Sequence, residues 1–389
     1  MLLRKSQLAL LTFCSSLLMS CSEEEKNPYL EEQTEKVRCN VEQTVTKNDA
    51  LRISEMILNK KSKTRGTFEE PSINYVIKEK EMRTRNGNVS EDTLAYIVNY
   101  PDNKGFAIIS SSRKVYPVLG FSTQGNFSTD NEIAQTNFVS NIAYYIESAD
   151  ESASYYVSED DFEGCYSVEP IVQISLSQRA PWDKYVIQEH PGCPVGCVAV
   201  ATALVMSHSK MMLSYHGSTY ILNSMLQSIK KGPEASLDYE KAVDSMAKIL
   251  YWIGKDISME YTEKVSLAYS RDAYDLCCLL GLNIPSGYAD FDINEVTKYL
   301  NDNHIVYLVG HDINGKGGHA WVSDGCYFCV DAFDQNKILD TYIHCDWGWG
   351  GNSNGYYSGS VFKASSYNFK VTKYFAVECE GQIISPILP

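Results

Sequence analysis

From Cys197 to Met206, ten residues run almost without a polar side chain: Cys-Val-Ala-Val-Ala-Thr-Ala-Leu-Val-Met. A helix made from such a run has no polar face, so it must be the buried central helix of a sizeable core. Pro194 and Gly196 oppose helix, which sets the helix start at Cys197. A thiol in a first turn meets unpaired backbone N–H groups and the positive end of the helix dipole. Both favour the thiolate, the reactive form. Taken alone, the segment fits a buried structural cysteine equally well.

Two further segments shift that balance. Gly317-Gly318-His319-Ala320-Trp321-Val322 places an imidazole behind two glycines at the start of a strand. A thiol and an imidazole on separate elements are what nucleophilic catalysis needs: the histidine takes the thiol proton and later protonates the leaving amine. His344-Cys345-Asp346-Trp347-Gly348-Trp349-Gly350-Gly351 supplies a carboxylate that would fix the tautomer of His319, and two indoles that would roof the pair.

Gly196-Cys197-Val198-Ala199, Gly318-His319-Ala320 and Trp347-Gly348-Trp349-Gly350-Gly351 occur in the order and spacing of the streptopain family of papain-like cysteine peptidases, which this sequence resembles over most of its length. The resemblance implies an α+β fold: a papain-like two-lobed catalytic domain, one half helical and one half antiparallel sheet, preceded by a small α+β prodomain that inhibits it. Carried over by position, Cys197 matches the nucleophile, His319 the base, and Trp347 and Trp349 the tryptophans beside it. Asp346 stands where the family usually has Asn. It adds a charge that would raise the imidazolium pKa, and a Cys–His–Asp set also resembles transglutaminases. For the oxyanion, the Cys197 N–H is one donor. Gln188, His311 and Gln178 are the side-chain candidates.

Organisation along the chain agrees. Asn48-Asp49-Ala50 can cap a helix through Leu58. Leu94–Tyr100, a Pro101–Gly105 turn and Phe106–Ile109 make a hairpin, and Val115–Phe121 a third strand. Between Glu147 and Glu163 there are seven acidic residues and no basic one, a composition suited to a linker. The expected division is a signal segment over 1–21, a prodomain over 22–150, an acidic linker with the processing site over 151–170, and a peptidase domain over 171–389.

The first 21 residues run from Arg4 and Lys5 through an apolar stretch to Leu18-Met19-Ser20-Cys21. That stretch is too short to span a bilayer and ends like a lipobox, so Cys21 is expected to carry lipid. Ser22-Glu23-Glu24-Glu25 resembles a surface-export signal. The expected location is therefore the outer membrane or cell surface, held by lipid only, with release after processing. Twelve cysteines are present, and an exported compartment permits disulfides.

A net charge of −15 argues against nucleic acid as a partner. The expected partners are protein or peptide substrates and the chain's own prodomain. No cofactor is required by this chemistry. Zinc is the rival from spacing, through Cys193, Cys197, Cys326, Cys329 and His319, but the apolar helix after Cys197 is unlike a metal knuckle. A catalytically degenerate surface lipoprotein is the other alternative, kept open by Asp346 and by Ser207-His208-Ser209-Lys210 after the apolar run.

Overall fold

The computed structural model describes residues 43–61, 72–78, 93–128, 134–162, 165–311, 318–331, 334, 337–363 and 370–379. The expected leader with Cys21, and the Gly315-Lys316-Gly317 loop, lie outside them.

Helix α1 (Lys47–Lys61) is capped by Thr46 rather than by Asn48. Thr46 Oγ1 accepts from the Asp49 N–H at 3.1 Å, and the Asp49 carboxylate accepts from the Thr46 N–H at 3.1 Å, a reciprocal capping box. Strands β1 (Ser72–Lys78), β2 (Thr93–Asn99), β3 (Phe106–Ser110) and β4 (Val118–Ser122) follow as an antiparallel meander, then helix α2 (Ala134–Glu147). The β2–β3 hairpin lies where the turn chemistry puts it. The third strand starts at Val118, not Val115, because Pro117 has no N–H for the ladder and contributes only its carbonyl, to Ser110 at 2.7 Å.

After the short strand β5 (Tyr166–Val168) comes the helical half. It contains α3 (Val186–Glu189), α4 (Cys197–Ser209), β6 (Met212–Tyr215), β7 (Ser218–Ile221), α5 (Leu222–Lys231), α6 (Tyr239–Asp256), β8 (Glu260–Tyr261), β9 (Ser266–Leu267) and α7 (Ser270–Leu279). As its composition demands, α4 is the central helix, buried from Val198 to Ser209. The polar end that looked out of place is explained by His208. Its Nδ1 donates to the Leu204 carbonyl at 2.9 Å and its Nε2 accepts from the Gln173 N–H at 3.1 Å, which ties the entering chain to the helix.

The sheet half contains β10 (Ala289–Asp290), α8 (Ile293–Asn301), β11 (Ile305–His311), β12 (Gly318–Val330), β13 (Ile338–Asp346), β14 (Gly355–Ser358), α9 (Gly359–Lys363) and β15 (Lys370–Val377). The fold is α+β, as expected, but the N-terminal region has no sheet of its own. One antiparallel sheet runs β1-β2-β3-β4-β14-β13-β12-β11-β15-β10, with β5 beside β12. The join is β4 on β14, with Phe121 opposite Tyr356 and Gly120 opposite Tyr357. Phe121 is buried there among Tyr327, Tyr342 and Tyr356, with ring centroids 5.6, 5.5 and 5.3 Å away. The acidic segment also departs from the bare linker expected of it. Val157 and Asp161 are buried, Asp161 accepts from the Ser158 N–H and hydroxyl at 3.0 and 2.9 Å, and Tyr155 donates to the Arg113 carbonyl at 2.8 Å. Local hydrogen bonds let a charged residue pack where composition alone argues against it.

Candidate active site

The chain is turned into α4 at Gly196, whose φ of +95° excludes side chains and where a Cβ would lie 2.8 Å from Met259 Cε. Ser266 Oγ holds the preceding loop by donating to the Pro194 carbonyl at 2.6 Å. Cys197 is therefore the first residue of the helix. Its sulfur lies against the backbone N–H groups of Cys197, Val198 and Ala320, the last belonging to the residue that follows His319. The thiol is not bridged. Burial pushes its pKa up, and the three N–H groups oppose that rise.

His319 sits at the start of β12, opposite Gly310 of β11, and is 4% exposed. Its Nε2 lies 3.0 Å from the Trp347 carbonyl oxygen. A carbonyl only accepts, so Nε2 carries the hydrogen and Nδ1 keeps a lone pair for an incoming proton. Burial lowers the imidazole pKa to about 4, against a smaller upward pull from the Trp347 carbonyl. Burial thus acts against the charged form of both groups, raising the thiol and lowering the imidazole.

Indoles surround the ring: Trp321, Trp347 and Trp349 have centroids 6.1, 6.2 and 5.2 Å from that of His319. Trp347 and Trp349 were the expected roof. Trp321 was visible only as a strand residue, although its position two residues after His319 puts both on one face of β12. Trp347 is fixed by its Nε1, which donates to the Ser353 carbonyl at 3.1 Å, and by its N–H, which donates to Asn354 Oδ1 at 3.2 Å. At Gly348, with φ +73°, a Cβ would meet Val200 Cγ1 at 2.9 Å, so this loop packs directly on the cysteine helix.

Asp346 does not orient His319, contrary to the sequence expectation. Its buried carboxylate accepts from the Gly348 N–H at 3.0 Å and from the Asn354 side chain, within its own loop. The neighbouring carbonyl of Trp347 takes the place assigned to it. Gln188 is exposed on α3 and His311 is exposed at the end of β11. Of the three residues considered for the oxyanion, Gln178 is the one whose backbone is bonded to the cysteine loop: its main-chain carbonyl accepts from the Val195 N–H at 2.9 Å. The zinc set does not assemble. Cys193 and Cys197 belong to the core of the helical half, and Cys326 and Cys329 to cores on the sheet. Among the described residues no group of three or more His, Cys, Asp or Glu could hold a metal ion.

Residues 176–357 match the model of the peptidase C10 family, and residues 42–146 match that of the Spi protease inhibitor. The region 176–357 is that of a peptidase C10 family member. Streptopain of Streptococcus pyogenes is 24% identical over 302 residues, covering 65% of this chain and 71% of its own length. The solved structure of a fragment of Prevotella intermedia prointerpain A has the same fold, with a TM-score of 0.52 at 19% identity over 78% of this chain and 97% of that one. As a C10 member with an inhibitor-type N-terminal region, the chain is a cysteine endopeptidase of zymogen-like organisation.

Within this C10 site Asp346 gives a pH prediction. Burial raises its carboxyl to about 6 from 3.8. A carboxyl raised on folding contributes stability that is present below about 3.8 and is lost as pH rises through about 6. Asp346→Asn keeps an oxygen for the Gly348 N–H and carries no charge. It should therefore gain roughly 2–3 kcal/mol relative to wild type between pH 4 and pH 8. Asp340, also raised to about 6 by burial, retains its own slope of the same sign in the variant. Melting curves across that range check the difference, and parallel curves for the two proteins would refute it.

Proposed function

We propose that this chain is an exported, surface-anchored zymogen that hydrolyses peptide bonds through Cys197. His319 Nδ1 takes the thiol proton, and the sulfur attacks the substrate carbonyl. The oxyanion is held by the Cys197 N–H and the Gln178 side chain. The imidazolium then protonates the leaving amine, and water activated by the same nitrogen hydrolyses the thioester. The Trp347 carbonyl positions the base, and the indoles of Trp321, Trp347 and Trp349 limit water around it. The observation that carries this reading is the Nε2 bond to the Trp347 carbonyl, which leaves Nδ1 for the sulfur at the start of α4.

A transglutaminase-type reading rested on Asp346 as the third member of the set, and the bonds of Asp346 within its own loop disfavour it. An iodoacetamide-type reagent shaped as a peptide separates the active enzyme from a degenerate fold. Labelling at Cys197 should drop at least about 100-fold in His319→Ala. Equal labelling of both proteins would sink the proposal.

The prodomain is assigned to residues 22–150, the cut to the acidic stretch 151–170, and the mature peptidase to 171–389. The loop Ser122–Asn126 forms one wall of a cavity of about 690 Å³ whose other side includes Asp346, His344 and Asn354. The N-terminal region thus lies on the same loop that holds His319, a position suited to inhibition. No helix of the described residues is long and apolar enough to cross a membrane. Anchoring is assigned to lipid on Cys21: palmitate labelling should vanish in Cys21→Ser, and its persistence would remove this part of the proposal.

A further inference from the structure

The end of the acidic segment carries a second sulfur chemistry, away from Cys197. Strand β5 pairs antiparallel with β12, with Tyr166 opposite Phe328, Ser167 opposite Tyr327 and Val168 opposite Cys326. Continuing that register by one residue sets Cys165 opposite Cys329. Facing residues of antiparallel strands have Cα atoms about 4.5–5.5 Å apart. That lies inside the range of roughly 4.4–6.8 Å that a disulfide spans. The side chains converge as well. Cys165 Sγ donates to the Asp161 carbonyl at 2.8 Å, and Cys329 Sγ reaches the same oxygen at 3.4 Å. The two thiols also lie within hydrogen-bonding reach of each other, and both are reduced here. Cys329 is fully buried beneath Tyr116 of the N-terminal region, whose hydroxyl is 3.2 Å from its sulfur, whereas Cys165 is half-buried. An oxidant therefore meets Cys165 first.

We propose that Cys165 and Cys329 form a redox pair that closes into a disulfide between β5 and β12, stapling the end of the acidic stretch to the central strand of the peptidase region. With a small disulfide such as oxidised glutathione as the oxidant, the Cys165 thiolate attacks one of its sulfurs and releases one glutathione thiol. Cys329 then attacks the Cys165 sulfur of this mixed disulfide and releases the second. One S–S bond is broken and one is formed, and the two protein thiols give up two protons and two electrons, which reduce the oxidant to two thiols. The consequence follows from processing. A cut in the acidic stretch before Cys165 leaves β5, an edge strand of three residues, at a new chain end. The bridge holds it there. This role rests on the assignment of the cut to that stretch. Formation of the bridge does not, nor does it depend on the chemistry of Cys197.

The test uses the full chain with Cys197→Ala, which removes self-cleavage, incubated with oxidised glutathione, alkylated and digested without reduction. Mass spectrometry should find a peptide pair joining Cys165 to Cys329, lighter than the two reduced peptides by two hydrogens and absent after reduction or in Cys165→Ser. Amide hydrogen exchange over 166–168 should slow at least about tenfold on oxidation, and should not change in Cys165→Ser or Cys165→Ala. Folded, oxidised protein in which Cys165 carries glutathione, or in which both cysteines are alkylated with no joined peptide, would overturn the pair. A bridge that forms but leaves exchange unchanged would overturn the stapling role.

Discussion

Replacing Cys197 by alanine should lower peptide hydrolysis by at least about 10⁴-fold, with the fold retained. The sulfur lies against the N–H groups that open α4, and in the proposed mechanism the Cys197 N–H also receives charge as it moves onto the substrate. Alanine suits a helix start and removes one atom at a half-buried position, so little packing is lost. Serine should do no better, because a hydroxyl is far harder to ionise than a thiol. His319→Ala should approach the same floor, and the double variant should be no worse than either single one, since the two groups act as a unit. The acid side of the wild-type pH profile should lie low. A base whose pKa burial lowers to about 4 still accepts protons where an ordinary histidine would already be charged. The measurement is kcat/KM on a peptide substrate after the N-terminal region has been removed by an added protease. Residual activity within tenfold of wild type in Cys197→Ala would place the chemistry elsewhere.

How much of this was legible depended on whether the signal was local. The apolar run fixed α4 as the central helix, and Gly196 set its first residue, because both effects act within a few positions. His319 at a strand start and the two tryptophans between glycines were equally readable. Three features were not. The acceptor that fixes His319 is a main-chain carbonyl, and every residue carries one, so attention fell on the Asp346 carboxylate beside it. Which of the three oxyanion candidates has its backbone on the cysteine loop was the second: Gln178 is 19 residues before Cys197, and no periodicity describes the loop that bonds its main-chain carbonyl to Val195. The union of β4 with β14 joins Phe121 to Tyr356 across more than two hundred residues, and pairing of strand edges leaves no mark in either strand alone. Read in isolation, β2–β4 make a self-contained small domain. Only the partner edge shows that they extend the sheet of the peptidase.

That union makes Phe121 the residue whose loss should most weaken the hold of the N-terminal region. Phe121→Ala should raise its dissociation constant by roughly 10²-fold to several thousand-fold, from a cost of about 3–5 kcal/mol for emptying a buried aromatic site. The ring is 1% exposed and sits against three tyrosines of the peptidase half, stacked on Tyr356 and edge-on to Tyr327 and Tyr342. Those tyrosines sit on β12, β13 and β14, so the cavity cannot collapse without moving the sheet that carries His319. The backbone pairing of β4 with β14 survives the substitution, and for that reason the effect is a weakened complex rather than an unfolded chain. The experiment takes the full chain with Cys197→Ala, nicked in the acidic stretch by an added protease, and follows co-elution of the two fragments on dilution. Wild-type fragments should stay together at concentrations where those of Phe121→Ala separate. In the active chain the same substitution should shorten the lag before peptide hydrolysis appears. Fragments that separate at the same dilution with and without Phe121 would show that the aromatic plug does not hold the inhibitor region in place.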